Sequence, residues 1–262
     1  MSSWFSKWMN WQWIRNQTRW LSKRRARRAA IIQEAIQRLG AATYLEIGVN
    51  RGDNFARIDA LHKWGVDPIP PAETVLREVE RGARYFAMTS DEFFASQEQL
   101  LRTQGIDVVL VDGLHAYRQS LTDVENSLRW LNPGGIIFMH DCCPASAAMA
   151  TPAETPAELE RYRASHPECA WTGDVWKTIV RLRATRPDLR TCVLDCDFGI
   201  GVVFPGHADD LLGYTPEQIE TMTYDDLAAD VRRLLGLRHP LHLFRLLREA
   251  GGNRLAMGRM AA

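Results

Sequence analysis

Short apolar runs alternate with amphipathic segments from Thr43 onward, which predicts strands that alternate with helices. The predicted strands are TYLEIG, WGVDP, ARYFAM, IDVVLVD and GGIIFMHD, and the helices between them include NFARIDALHKW, SDEFFASQEQLLRTQG and YRQSLTDVENSLRWL. This order favours an α/β fold with a doubly wound, mostly parallel sheet covered by helices on both faces. The later run TCVLDCDFGIGVVFP predicts two strands in a C-terminal antiparallel hairpin, which gives seven strands in all.

The length of 262 residues favours one domain with appendages over two full domains. The predicted sheet and its helices occupy residues 43–206. Within this range, residues 144–170 form an insertion rich in Ala, Pro and Glu that we expect to act as a lid. Residues 1–42 are expected to form a basic, Trp-rich helical segment, and residues 207–262 a basic helical extension.

Positive charge and tryptophan are concentrated at the start of the chain. The net charge is zero, but eight Lys and Arg residues precede Glu34, the first acidic residue, so the remainder carries a net charge of about −8. Five of the nine tryptophans lie in the same region, and Trp4, Trp8 and Trp11 follow helical spacing. Indole rings beside basic residues predict a peripheral contact with the inner face of a membrane. The alternative is a helix packed on the body or on a second copy of the chain, so homo-oligomer formation stays open.

Composition constrains the other partners and the compartment. No apolar run approaches the length of about 18 residues that a membrane span needs, and no secretory signal is evident. The five cysteines lack the paired spacing of a zinc site or a disulfide framework, which fits reduced thiols in a cytoplasmic protein. The basic start of the chain could bind phosphates, but the acidic body argues against a nucleic-acid partner.

The loop after the first strand carries the first signal of a binding site. In LEIGVNRGDNF, Glu46 ends the strand, and Gly48 and Gly52 would let the backbone approach a ligand at the carboxyl edge of the sheet. The dinucleotide fingerprint G-x-G-x-x-G is not present, which argues against a dehydrogenase. An acid at this place suits a ligand with a cationic amino group and no pyrophosphate, such as S-adenosylmethionine.

The next strands also end in polar residues. Asp67 lies where a carboxylate commonly binds ribose hydroxyls, and Ser90 and Asp91 lie where an adenine contact is expected. Each has a simpler interpretation, because Asp91 could cap the helix that follows it. Asp112 lies at the end of the fourth strand and is a further candidate for cofactor binding. A polar residue at the end of each successive strand favours a nucleotide-type cofactor.

These motifs resemble the class I S-adenosylmethionine-dependent methyltransferases in order and spacing over residues 43–144, and more loosely to residue 205. The resemblance implies a Rossmann-like sheet. It also implies that Glu46 and Gly48 face the methionine end of S-adenosylmethionine, Asp67 the ribose, and Ser90 and Asp91 the adenine. Within that family, VDGLHAY is similar to the metal-dependent O-methyltransferases that act on sugar hydroxyls, as in macrolide biosynthesis.

That closer resemblance assigns roles to four residues. It implies that Asp112 and Asp141 hold a divalent cation such as Mg²⁺ and that His115 is the general base. A histidine suits this role because its ordinary pKa of about 6.5 lets it accept a proton at neutral pH. His140 occupies the remaining metal position, where the family has a glutamate, so the metal would be a softer one such as manganese, iron or zinc, or none. The alternatives are a helix-cap His115, a buried His140, and an Asp112 that serves only the cofactor.

A second motif, WTGDVWKTI, follows the predicted lid. Trp171, Asp174 and Trp176 could line a sugar site, because indole faces stack on sugar rings, but Asp174 could instead cap a helix that buries its tryptophans. Tyr117 could bind substrate or pack in the core.

The sequence therefore predicts an enzyme that methylates a hydroxyl of a sugar, glycan or glycosylated metabolite with S-adenosylmethionine. One alternative is a catechol-like small-molecule acceptor. The other is a non-catalytic, membrane-associated adapter that keeps a methyltransferase fold.

Overall fold

The computed structural model describes residues 28–260, with side chains described to residue 252. Eight strands form one sheet in the order β3-β2-β1-β4-β5-β7-β6-β8. Their bounds are β1 Thr43–Ile47, β2 His62–Val66, β3 Arg84–Phe86, β4 Ile106–Val111, β5 Leu131–Met139, β6 Leu189–Leu194, β7 Ile200–Pro205 and β8 Leu237–Arg238. The first five strands are parallel, and β7 is antiparallel to both β5 and β6. The predicted mostly parallel sheet with a C-terminal hairpin is confirmed.

Helices cover both faces of the sheet. They are α1 Arg28–Leu39, α2 Glu73–Glu80, α3 Ser90–Ser96, α4 Glu98–Gln104, α5 Tyr117–Trp130, α6 Pro156–Ser165, α7 Trp176–Thr185, α8 Pro216–Thr221, α9 Tyr224–Ala229, α10 Val231–Leu235 and α11 Leu243–Met260. One apolar core joins α3, α4, α5 and α7 to the sheet, and the other joins α1, α2 and α11 to its opposite face. All six residues of β4 are buried, as expected for a central strand covered on both sides.

The described parts of the segments on either side of the predicted domain, residues 28–42 and 207–260, are part of the same layered body. From the C-terminal segment, β8 pairs in parallel with β6 and supplies an eighth strand where seven were predicted. The last helix, α11, packs against α1 and against β5. Two residues are too few to give a strand a recognisable sequence pattern, which explains why β8 was not predicted.

Two predicted helices were wrong in detail. Residues 54–64 were expected to be helical, but they contain a single 3-10 turn, Phe55–Arg57, before β2 begins at His62. Residues 90–104 form two helices with a break at Gln97. Within the described residues, no helix is long and apolar enough to cross a membrane. The predicted membrane contact through Trp4, Trp8 and Trp11 lies outside the described residues.

Candidate active site

The predicted cofactor residues lie at one edge of the sheet. Glu46 is in β1 and Gly48 follows that strand, Asp67 follows β2, and Asp112 follows β4. Because parallel strands end at the same edge, these groups share one edge of the sheet, which is the usual position of ligands in open α/β folds.

The loop after β1 passes close to the backbone that follows β4 at this edge. Gly48 has φ +86°, and a Cβ atom there would lie 2.1 Å from the carbonyl oxygen of Asp112. Gly52 has φ +79°, and its added Cβ would lie 2.6 Å from a side-chain carbon of Val75. Both glycines are therefore required by the backbone path, as their predicted role in a tight loop implies.

Asp67 fixes this loop from the neighbouring strand. One carboxylate oxygen accepts the backbone N–H of Asn50 at 2.8 Å, and the other accepts that of Ile69 at 2.9 Å. Asn50 itself has φ +49°, in the left-handed region. Each carboxylate oxygen has a second lone pair, so both bonds leave Asp67 able to accept a ligand hydroxyl.

The Glu46 carboxylate is buried within the protein. It is 1% exposed, and its Oε2 accepts the Tyr44 hydroxyl at 2.6 Å and the Asn54 amide at 2.9 Å. Burial raises the pKa of Glu46 to about 7, although both hydrogen bonds oppose the rise. The structure places Glu46 beneath the glycine loop, bonded to protein groups.

Ser90 and Asp91 occupy the start of α3 without capping it. Thr89 caps this helix, with Glu92 completing a capping box. Ser90 donates a hydrogen bond of 2.6 Å to Asp123 of α5, whose pKa is raised to about 6 by burial. Asp91 is exposed. Asp123 was missed from the sequence, although an acid on the buried face of an amphipathic helix is a usable signal.

Four of the predicted residues form a compact cluster beyond β4 and β5. Nε2 of His115 lies 3.4 Å from Oδ1 of Asp112, and Nδ1 lies 3.2 Å from Oδ2 of Asp141. Nδ1 of His140 lies 3.2 Å from an oxygen of each of the same two carboxylates. Asp141 has φ +60°, an unfavourable conformation for a non-glycine residue and one that is often retained at functional sites.

Two further residues join this cluster and were missed from the sequence. Nη1 of Arg28 lies 3.1 Å from both ring nitrogens of His140, and Nη2 lies 3.5 Å from Oδ2 of Asp112. The backbone N–H of Arg28 donates to Asp197 at the tip of the β6–β7 hairpin, at 2.7 Å. Nε2 of His140 lies 3.8 Å from the same Asp197 carboxylate. Arg28 was read as part of the basic start of the chain, and no local pattern links it to this edge.

Two opposing effects set the pKa values in the cluster: burial disfavours the charged form of each group, and nearby opposite charges favour it. Burial disfavours the charged imidazole of His140, but the carboxylates of Asp112, Asp141 and Asp197 outweigh it and raise the pKa of His140 to about 11. The same balance, with Asp112 and Asp141 as the opposing groups, raises the pKa of His115. Burial opposes ionisation of Asp112 as well, yet the two histidines and Arg28 hold its pKa well below the usual range.

The arrangement does not fit the predicted metal ligands Asp112, His140 and Asp141. Both nitrogens of His140 already face carboxylates, and the Arg28 guanidinium lies against its ring. Ligand atoms of Asp112, His115 and Asp141 do lie within 4.8 Å of one another. However, Oδ1 of Asp112 lies against Nε2 of His115, and Oδ2 of Asp112 faces Arg28. The cluster is already supplied with positive charge by the chain.

The WTGDVWKTI motif separates into a site-facing and a core part. The Trp171 ring stacks on His115, with centroids 5.1 Å apart and planes 24° apart. Asp174 accepts the backbone N–H of Tyr117 at 2.8 Å and so caps α5, a different helix from the predicted one. Trp176 is 1% exposed and packs in the core, so the prediction that it lines a sugar site was wrong.

Tyr117 and the predicted lid complete the surroundings. Tyr117 is 5% exposed and packs in the core, and the charges that act on its hydroxyl include Arg181 and Glu220, which lie outside the cluster. In the insertion, α6 presents Tyr162, whose hydroxyl donates to the carbonyl of Ala170 and whose ring lies 6.3 Å from that of Trp171. The insertion therefore reaches the site through Trp171.

Comparison with known proteins identifies part of the chain. A family model described as a methyltransferase domain matches residues 45–142, a little over one third of the sequence. None of the curated proteins matches the sequence closely enough to count as a relative.

Two solved structures with a similar fold illustrate the likeness. One is a protein from Klebsiella pneumoniae, provisionally described as an O-methyltransferase, with 13% sequence identity and a TM-score of 0.48 over 68% of this chain and 79% of that chain. Another is MycE, a methyltransferase of the mycinamycin biosynthetic pathway in complex with Mg and SAH, with 17% identity and a TM-score of 0.42 over 71% of this chain and 50% of that chain. Similarity at this level concerns the fold alone.

Proposed function

We propose that the protein uses S-adenosylmethionine to transfer a methyl group to a hydroxyl of a small acceptor, with His115 as the general base, because residues 45–142 match a methyltransferase-domain family model. The observation that carries this proposal is the position of His115 between Asp112 and Asp141, at the edge where the predicted cofactor residues lie. The His115 side chain is 21% exposed, whereas those two carboxylates are 10% and 6% exposed. Within this group, the imidazole is the most accessible to an acceptor.

The proposed reaction withdraws a proton from a poor nucleophile. The hydroxyl oxygen attacks the methyl carbon of the sulfonium, the carbon–sulfur bond breaks, and the hydroxyl proton passes to Nδ1 of His115, the ring nitrogen that makes no hydrogen bond within the described residues. A positioned base of this kind typically contributes about 10²- to 10⁴-fold to the rate. Asp112 and Asp141 orient the ring and stabilise the imidazolium that forms.

The pH dependence follows from the neighbours of His115. Since Asp112 and Asp141 raise the pKa of His115, the imidazole keeps its proton to a higher pH than an ordinary histidine and is then a stronger base. Methyl transfer should therefore rise with pH through a midpoint above 6.5. An Asp141→Asn variant should move that midpoint to lower pH.

Contacts of the cofactor candidates support the same proposal. Asp67 has lone pairs available for ribose hydroxyls, and Gly48 allows the loop to pass closely over Asp112. The buried Glu46 would act on the cofactor through its effect on the loop, because its carboxylate bonds to Tyr44 and Asn54.

The acceptor we favour is a hydroxyl of a sugar, glycan or glycosylated metabolite. Trp171 supports it, because an indole stacked on the base gives a sugar ring an aromatic surface beside the reacting hydroxyl. A catechol-like acceptor is the second candidate, supported by Leu114 and Phe198, which adjoin the two histidines and are 45% and 47% exposed. Such apolar surface suits a planar aromatic ring.

Radiolabelled S-adenosylmethionine offered with demethylated sugars and, separately, with catechols tests the proposal. We expect transfer to the sugars, and a loss of at least about 100-fold in His115→Ala and His115→Gln. The matched control is His207→Ala, since His207 is exposed and follows β7 at the end opposite the hairpin tip that carries Asp197. Transfer that survives in both His115 variants would contradict the role of the base. Cofactor binding without transfer to either class would favour the adapter.

Two further predictions concern divalent metal ions and membrane contact. Transfer should survive in EDTA, because the cluster does not fit the predicted metal ligands; loss of transfer in EDTA would instead show divalent-metal assistance. Peripheral membrane contact would show as flotation with anionic vesicles that is lost when residues 1–27 are removed.

A further inference from the structure

We propose that Arg28 is the resident cation of the cluster: its guanidinium neutralises Asp112 and lies against His140, in place of a divalent metal ion. Arg28 would then be a positioning residue of the active site. The inference rests on the proposed site, but it concerns charge and metal binding, so it is tested independently of the acceptor and of methyl transfer.

The guanidinium contacts two groups that the predicted metal would need. Its Nη2 lies 3.5 Å from Oδ2 of Asp112, and its Nη1 lies 3.1 Å from both ring nitrogens of His140. If Nη1 lay in the plane of the His140 ring at 3.1 Å from both nitrogens, it would overlap the Cε1 atom between them. Nη1 therefore lies over the face of the ring. Arginine commonly stacks on aromatic faces in this way. The edge nitrogens of His140 remain directed toward carboxylates.

Arg28 is held in this position from both sides. It lies in α1, at the start of the described residues, and Ala29, Ile31 and Ile32 of the same helix are buried against the sheet. Its backbone N–H donates to Asp197 at the hairpin tip, at 2.7 Å. The tip is in turn fixed to the segment after β5, because Cys143 donates its backbone N–H to the carbonyl of Phe198 at 2.7 Å. The placement of the guanidinium therefore follows from the fold.

A metal at this place would compete directly with Arg28. The Oδ1 atom of Asp112 lies near His115 and His140, and Oδ2 faces Arg28, so a metal bound to Asp112 must displace one of these partners. A guanidinium does not lose its proton in proteins, so its charge cannot be titrated away to admit the metal. Repulsion between a divalent ion and a fixed positive charge a few ångströms away weakens metal binding by at least about tenfold.

Binding of Mn²⁺ alone, measured by electron paramagnetic resonance and calorimetry, tests the proposal on the full chain. The variants are Arg28→Met, which removes the charge at similar length, and Arg28→Lys, which keeps it. Arg38→Met, at the other end of α1, is the matched control, and thermal unfolding verifies that each variant is folded. We expect Arg28→Met to bind Mn²⁺ at least about tenfold more tightly than the wild type, with Arg28→Lys and Arg38→Met unchanged.

Adding Asp112→Asn to Arg28→Met should abolish the gained affinity, which would locate the ion at this cluster. The proposal is wrong if the wild-type protein binds Mn²⁺ as tightly as Arg28→Met does. It is also wrong if Arg28→Lys gains the same affinity as Arg28→Met, because the effect would then not depend on charge.

Discussion

Replacing Glu46 by glutamine should change how stability depends on pH. Glu46 is buried beneath the glycine loop, and its pKa is raised from 4.5 to about 7 in the folded protein. The folded state thus holds this proton more tightly than the unfolded chain does. The resulting stabilisation is fully present below pH 4.5 and is lost as the pH rises through about 7. At roughly 1.4 kcal/mol per pKa unit, the loss amounts to about 3 kcal/mol.

Urea unfolding followed by circular dichroism at intervals from pH 5 to pH 8 measures this effect. Glutamine is neutral throughout and keeps an acceptor for Tyr44 and Asn54. The unfolding free energy of the wild type should therefore fall relative to that of Glu46→Gln by up to about 3 kcal/mol across the range. Asp123 titrates in a similar range but is present in both proteins, so its effect cancels.

Glu98→Gln, on the exposed surface of α4, controls for the loss of one carboxylate. Parallel curves for wild type and Glu46→Gln would refute the reasoning, because they would mean that Glu46 titrates alike in the folded and unfolded states.

Three further substitutions test other parts of the site. Asp174→Ala removes the cap of α5 and should cost about 1 kcal/mol, seen as a fall in Tm of about 2–4 °C; an unchanged Tm would mean that the cap contributes nothing. Gly173→Ala places a Cβ atom 1.8 Å from the carbonyl oxygen of His115 at φ +61°, so kcat/KM should fall at least about tenfold; full activity would contradict the close approach. Ser90→Ala removes a hydrogen bond that lowers the pKa of Asp123, so NMR titration should place this pKa above its wild-type value of about 6; a lower value would contradict the contact.

The sequence predicted which residues meet at the edge of the sheet, because each parallel strand has a recognisable end in the sequence. An apolar run that ends in a polar residue marks a strand end, and strand ends of a parallel sheet meet in space. This reasoning grouped Asp67, Asp112 and Asp141 from the sequence, and the structure places each after a strand at the same edge. The roles expected of His115 and His140 came from the resemblance to the metal-dependent O-methyltransferases.

The rest of the site depends on contacts with no local sequence signal. Arg28 reaches His140 across 112 residues, through the packing of α1 on the sheet. The sequence around Trp176 does not distinguish a tryptophan that binds a sugar ring from one that packs in the core. In the structure, Trp176 lies on the buried side of α7. Asp174 is a cap, as one reading of the sequence allowed, yet the helix it caps lies 57 residues away in the chain.

The most direct test of the account is a calorimetric titration of S-adenosylmethionine, and separately of NAD, into the wild-type protein and Asp67→Ala. The account predicts that S-adenosylmethionine binds at one site per chain, that NAD does not bind, and that Asp67→Ala weakens S-adenosylmethionine binding at least about tenfold. Binding of NAD, or no binding of S-adenosylmethionine to the folded wild-type protein, would contradict it.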